Sequence, residues 1–170
     1  MTAIKLLTDD RMTLSAMTER DIPAIRELHA RSFAMLARDW HTPEQIVAHV
    51  GLINRTDYAD DLRRSHITIA RVTHEIVATS GWLAVTGQSE TARIRKVFVH
   101  PAMARRGLGS MMVNHAEDAA RNAGYKRLIV RANINAVGLY AKLDYAPLHR
   151  DLMMGANGVE LPVLMMQKHA

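Results

Sequence analysis

The stretch Val97–Ala120 reads VFVHPAMARRGLGSMMVNHAEDAA. It starts as a strand, and Val97, Phe98 and Val99 are apolar on both faces, as a central strand requires. Pro101 stops the strand because it offers no N–H to a ladder. Arg105 and Arg106 follow, then Gly107 and Gly109, one residue apart, at the head of a predicted helix over 107–123. Leu108, Met111, Met112, Ala116 and Ala119 share one face of that helix, and Gly124 is its natural C-cap. The first N–H groups of a helix have no intrahelical acceptor, and the helix dipole adds positive charge there. A strand that ends at a helix N-terminus is therefore an anion site. The two glycines remove the Cβ atoms that would hold a phosphate off the backbone. The two arginines add charge-assisted donors suited to phosphate.

The elements around this junction alternate in type. Upstream, RMTLSAM reads as a short strand, and TERDIPAIRELHARSFAML as a helix that Thr18 caps, with Ile22, Ile25, Leu28 and Phe33 inward. TPEQIVAHVGLI is a second helix, with Thr42 as N-cap and Pro43 at its first position. SHITIARVT and EIVATSGWLAV are strands around a turn near His74, and ARIRKVFVH is a third. Downstream come the strand KRLIVR and a short helix NAVGLYAKL, whose Ala136, Leu139, Tyr140 and Leu143 share a face. Two strands around a turn near Asn157-Gly158 finish the chain. This order predicts one α/β domain over residues 1–170, with a core of about 12–168 and a mixed sheet flanked by helices.

Composition narrows the function. The 170 residues include no cysteine, which excludes disulfides, thiol catalysis and thiolate metal sites and suits a reducing cytoplasm. No long apolar run is present, so no membrane span is expected, and the acidic Asp9 and Asp10 argue against a signal peptide. The formal net charge of +5 is unevenly spread. Nine Lys/Arg and only Glu117 and Asp118 fall between Arg93 and Arg131, while the rest of the chain is slightly acidic. The positive charge thus surrounds the junction, where it fits a polyanionic partner. Nucleic acid is not expected, because only 5% of residues are aromatic and stacking platforms are missing.

The phosphate ligand can be narrowed too. A dinucleotide fingerprint needs a third glycine where Met112 stands, and no G-x-x-x-x-G-K-[ST] run exists. IRKVFVHPAMARRGLGSMM instead resembles the acyl-CoA pyrophosphate loop of the GNAT superfamily of N-acetyltransferases. NINAVGLYAKLDY resembles that family's second signature, with Asn133, Ala136 and Tyr140 at matching spacing. The two signatures stand in the family's order, and the element order agrees over roughly residues 12 to 168.

The resemblance implies a fold whose fourth and fifth strands splay to form an acyl-CoA cleft. It implies acetyl-CoA as co-substrate, no metal, and transfer of the acetyl group to a primary amine by direct attack. The amine would belong to a small molecule or a peptide, and a homodimer is a further expectation. Backbone groups of Val97, Phe98 and Val99 would hold the pantetheine arm, and the Val99-side N–H the oxyanion. N–H groups of Arg105, Arg106, Gly107, Leu108, Gly109 and Ser110 would hold the pyrophosphate. Asn133 would hold the far side of the arm, and Tyr140 would protonate the leaving thiolate. An acyl-CoA-binding module of the same fold without catalysis is the alternative.

Three departures stand out. Ala104 occupies the family's first basic position, so Arg105 and Arg106 must supply the charge. Asp144 and Tyr145 replace a common glycine-phenylalanine pair. The stretches where many members carry a glutamate base offer Arg93, Arg95 and Leu128. A water chain, a histidine or substrate-assisted deprotonation is left to supply the base. Outside the motifs, His100 reads as surface and Trp82 as packing. His66, His74 and the Trp40-His41 pair are weaker candidates for contact with an acceptor.

Overall fold

The computed structural model describes residues 11–169, so the reading of the extreme N-terminus lies outside them. Seven strands form one sheet: β1 (Thr13–Ala16), β2 (His66–Val72), β3 (Glu75–Ala84), β4 (Thr91–Val99), β5 (Arg127–Asn133), β6 (Ala146–Met154) and β7 (Glu160–His169). Five helices flank it: α1 (Ile22–Leu36), α2 (Pro43–Ile53), α3 (Asp57–Arg63), α4 (Leu108–Asn122) and α5 (Val137–Lys142). The strand order is β1-β2-β3-β4-β5-β7-β6. Each neighbouring pair is antiparallel except β4–β5, which α4 connects as a crossover. The predicted α/β class and mixed sheet are those observed.

Local sequence explains the helix starts. Thr42 and Gln45 form a reciprocal cap on α2, with Gln45 N–H donating to Thr42 Oγ1 at 3.2 Å and Thr42 N–H to Gln45 Oε1 at 3.1 Å. Thr18 does not cap α1 directly. It donates through its N–H and its hydroxyl to the Asp21 carboxylate, and a 3₁₀ turn over Glu19–Asp21 leads into the helix. Gly124 has φ +95 and closes α4 as expected.

The sheet separates two layers. On one face Ala92 and Ile94 of β4 and Leu128, Val130 and Ala132 of β5 pack with Val113, Ala116 and Ala120 of α4 and with Tyr140 of α5. On the other, Ile67 and Ile69 pack against Ile22, Ile25 and Leu62. Each valine, leucine or isoleucine fully buried this way contributes about 1.5–3 kcal/mol, and each alanine less. Side chains alternate along a strand, so Arg93, Arg95 and Arg131 stand on the face opposite α4.

The centre of the sheet opens. β4 and β5 are in register from Thr91↔Arg127 to Ile94↔Val130 and no further, although β4 continues to Val99 and β5 to Asn133. The break coincides with a bulge. The β3–β4 register shifts between Thr79 and Gly81, and Lys96 adopts φ +55, a left-handed conformation that costs energy for a lysine. The expected splay of the fourth and fifth strands is thus present, and the chain builds it at Lys96.

Candidate active site

The opening leads into a cavity of about 390 Å³, a size that suits a small-molecule site. Arg93 to Phe98 of β4 line one wall, and Val130 to Asn133 of β5 line the other. Residues of α2 and α3 cover one side, and Ala136 and Tyr140 stand on the other.

β4 presents backbone groups to this gap. His100 N–H donates to Val77 O of β3 at 2.7 Å, which fixes the alternation. The N–H and C=O groups of Val97 and Val99 therefore point away from β3, where β5 has already left. Phe98 instead turns its backbone toward β3, opposite Thr79, and stacks its ring on His29 at 4.0 Å.

The loop after β4 forms a cradle. Arg105 has φ +62 and Gly107 φ +81, which alternates the backbone so that successive N–H groups converge. Met111 N–H donates to Gly107 O at 3.0 Å, so the N–H groups of Leu108, Gly109 and Ser110 lie ahead of the first helical bond. Gly107 is required by its φ. Gly109 is not required by packing, since a Cβ there would meet only Leu139 at 3.5 Å and Val99 at 3.7 Å, ordinary contacts. The free N–H groups at the start of α4 are donors of the kind that an acyl-CoA pyrophosphate needs. Arg105 and Arg106 are exposed beside them. His100, read as surface, accepts from Ala102 N–H at 3.2 Å and steadies the turn at Pro101–Met103.

Tyr140 is 5% exposed and lies edge-on to Tyr145 with ring centroids 5.4 Å apart. No described residue hydrogen-bonds its hydroxyl, whereas the neighbouring Tyr145 Oη is buried without a partner among the described residues. Burial, aided by the nearby charge of Glu117, pushes the Tyr140 hydroxyl's pKa up, so it keeps its proton at neutral pH. Asn133 lines the gap at the end of β5. The cavity therefore brings together Val97, Phe98, Asn133 and Tyr140, while Val99 and the loop from Arg105 to Ser110 are not among its lining residues.

The other sequence candidates fall elsewhere. His66 stacks on Trp82 at 4.0 Å, and Trp82 is core packing as read. His74 lines a separate cavity with Asp21 and Arg71. His41 packs on Phe33, and Trp40 is exposed; neither is among the residues that line the cavity.

Sequence reasoning missed α3 and what it delivers. Asp61 of α3 reaches β4 and pairs with Lys96 Nζ at 2.7 Å and Arg95 Nη2 at 2.5 Å. Burial alone would raise the Asp61 pKa, but the hydrogen bond and charge of Lys96, with Arg95 and Arg64, hold it below the usual carboxylate range. Lys96 is pushed down to about 8, chiefly by burial and against the pull of Asp61, and its ammonium sits 3.8 Å above the Tyr58 ring. Tyr58 contacts His29 Nδ1 at 2.7 Å, His29 Nε2 contacts Thr79 Oγ1 at 2.7 Å, and Thr79 Oγ1 donates to Lys96 O at 2.6 Å. A carbonyl only accepts, so the chain has one consistent polarity. Tyr58 donates to Nδ1, and Nε2–H donates to Thr79. His29 is held neutral by burial, with the charges of Lys96 and His49 acting the same way.

A model of the acetyltransferase (GNAT) family matches residues 21–145. Among solved structures, a GCN5-related N-acetyltransferase from Rhodopseudomonas palustris superposes with a TM-score of 0.82 at 22% identity, covering 93% of this chain and 95% of that one. An N-acetyltransferase from Thermoplasma acidophilum in complex with coenzyme A gives 0.72 at 11% identity, over 94% and 99% of the two chains. A putative acetyltransferase from Salmonella typhimurium with its cofactor acetyl-CoA gives 0.62 at 19% identity, over 93% of each.

Proposed function

The chain belongs to the acetyltransferase (GNAT) family, whose members are acyltransferases, and we propose that it transfers the acetyl group of acetyl-CoA to a primary amine by direct attack. The observation that carries the reading is Tyr140, a buried, protonated phenol with an unengaged hydroxyl at the wall of the gap between β4 and β5. Acetyl-CoA would lie with its pyrophosphate on the N–H groups from Arg105 to Ser110 and its arm along Val97 and Val99, with Asn133 opposite.

In this reading the amine nitrogen bonds to the thioester carbonyl carbon, and the carbonyl oxygen gathers charge beside the Val99-side N–H. The C–S bond then breaks, the sulfur takes the Tyr140 proton, and water restores it. The product nitrogen gives its surplus proton to solvent.

The acceptor must arrive neutral, although an alkyl amine titrates near ~10. Asp61 is a poor base, because three cations hold it ionised. The same cations supply the alternative. Arg93, Arg95, Lys96 and Arg131 around the cavity disfavour an ammonium and lower the acceptor's own pKa. Deprotonation to water then precedes attack. The cysteine-free chain suits the cytoplasm, the location we propose.

The test is acetyl-CoA turnover with thiol detection over a set of amines, beside thermal melting with acetyl-CoA. Turnover of at least one amine is expected. Stabilisation by acetyl-CoA without turnover of any amine would favour a binding module instead.

A further inference from the structure

The cavity's acceptor side has an unusual charge balance. Its lining includes Arg55, Arg64, Arg93, Arg95, Lys96 and Arg131 but only two carboxylates, Asp57 and Asp61. Both carboxylates are already engaged. Arg55 takes Asp57 in a two-bond fork at 3.2 and 3.0 Å, while Arg95, Lys96 and Arg64 share Asp61. Arg93 and Arg131 have no ion-pair partner among the described residues, and Asp151 and Asp61 act on Arg131 only from a distance. Arg93 Nε and Arg95 Nε are buried and donate to no acceptor among the described residues. Burying a guanidinium N–H without an acceptor is costly. Arg93 also feels the like charges of Arg131 and Arg95, so the three are neighbours that repel one another.

Acetyl-CoA's phosphates do not relieve this strain. Arg93, Arg95 and Arg131 stand on the face of the sheet opposite α4, whose N-terminus forms the cradle. What is missing on their side is an anion, small enough for the cavity and attached to whatever carries the amine.

We infer that the acceptor is a small amine bearing a free carboxylate, such as an amino acid, with the carboxylate held by Arg93, Arg95 and Arg131; this rests on the acetyl-transfer reading above. The planar guanidinium fork matches a carboxylate with two parallel bonds. The arrangement also assigns distinct tasks to the charges. The arginines bind the anionic end, and the residual positive field around Lys96 keeps the amine neutral.

The experiment compares kcat/KM for free L-amino acids, their carboxamides, phosphoethanolamine and spermidine, on the wild type and on Arg93→Gln, Arg93→Lys and Arg131→Gln. A carboxamide keeps the amine and removes only the negative charge. Its amine is also the less basic, so intrinsic reactivity would favour it. The best free amino acid is expected to exceed its carboxamide by about 10–100-fold, the worth of a charged hydrogen-bonded contact. Arg93→Gln should erase most of that ratio by slowing the amino acid far more than the carboxamide, whose turnover also falls because one cation that disfavours the ammonium is gone, and Arg93→Lys should restore part of both. Carboxamides or spermidine turned over as well as amino acids would overturn the inference. So would a ratio untouched by Arg93→Gln and Arg131→Gln. Preference for phosphoethanolamine over every amino acid would overturn the choice of carboxylate. If acetyl-CoA binds and no amine is acetylated, the transfer reading fails. Calorimetry of N-acetylglycine against N-acetylglycinamide on the CoA complex then decides the site. Tighter carboxylate binding that Arg93→Gln abolishes supports the assignment, and equal binding refutes it.

Discussion

Replacing Tyr140 by Phe isolates one atom. The ring is 5% exposed and lies edge-on to Tyr145, and both features survive the change. The hydroxyl bonds to no described residue, so Tyr140→Phe breaks no protein hydrogen bond. Stability should therefore change by less than about 0.5 kcal/mol, and it should rise if the unpaired hydroxyl costs anything to bury. Activity should respond very differently. A CoA thiolate leaves with a thiol pKa near ~8.5, so unaided expulsion is feasible at neutral pH. A positioned acid contributes about 10²–10⁴-fold, and the good leaving group argues for the lower end. We expect kcat to fall about 10²-fold, or ~2.7 kcal/mol of barrier, with acetyl-CoA affinity nearly unchanged. The assay is single-turnover acetyl transfer beside calorimetric titration with CoA and urea unfolding. A Phe variant with wild-type single-turnover rate would make Tyr140 a core aromatic only. Loss of CoA affinity in step with rate would make its hydroxyl a binding group.

Acetyl-CoA at 100-fold excess over its Kd should stabilise the protein by ~2.7 kcal/mol in a melting experiment, because it binds only the folded state. Gly109→Ala should fold normally, since its Cβ meets only ordinary contacts, whereas Gly109→Asp should abolish CoA binding by placing a carboxylate in the cradle; calorimetry of both variants checks this. Thr79→Val should cost about 1–3 kcal/mol in urea unfolding by leaving His29 Nε2–H and the Lys96 carbonyl unpaired. Asp61 has a lowered pKa in the folded protein, so its contribution is present above about pH 4 and is lost as pH falls through the folded value. Asp61→Asn should therefore be less stable than wild type by about 2 kcal/mol at pH 7, with the difference shrinking on acidification, as unfolding curves from pH 7 to 3 would record.

The local elements around the candidate site were legible. Pro101 follows the end of β4, and Gly107, at φ +81, starts α4, as their backbone chemistry predicts. Tyr140 and Asn133 were reached through a resemblance, and the fold places both at the gap. Asp61 was not legible, for a physical reason. DYADDLR is short, carries three acids, and buries only Leu62 fully, so α3 has no periodicity to detect. β6 escaped in part for a similar reason. It is an edge strand whose residues are almost all exposed, so its start at Ala146 carries no alternation. His29 looked like one more residue of an amphipathic helix. Its role depends on Tyr58 and Thr79, which are 29 and 50 positions away in the chain.

That buried chain also links the shape of the sheet to the charge in the cavity. Lys96 has an unfavourable φ of +55, so something must hold it there. Its carbonyl is held by Thr79 and, through His29, by Tyr58. Its ammonium is held by Asp61 and lies on the ring of the same Tyr58. Both ends of the residue are thus fastened to α1, α3 and β3. The bulge at this point is where β4 stops pairing with β5, and its side chain is among the cations facing the gap. Opening the cleft and charging its acceptor side therefore depend on one residue. A mutation that relaxes the bulge would alter both together, whereas Lys96→Gly would adopt the same φ more easily and remove only the charge.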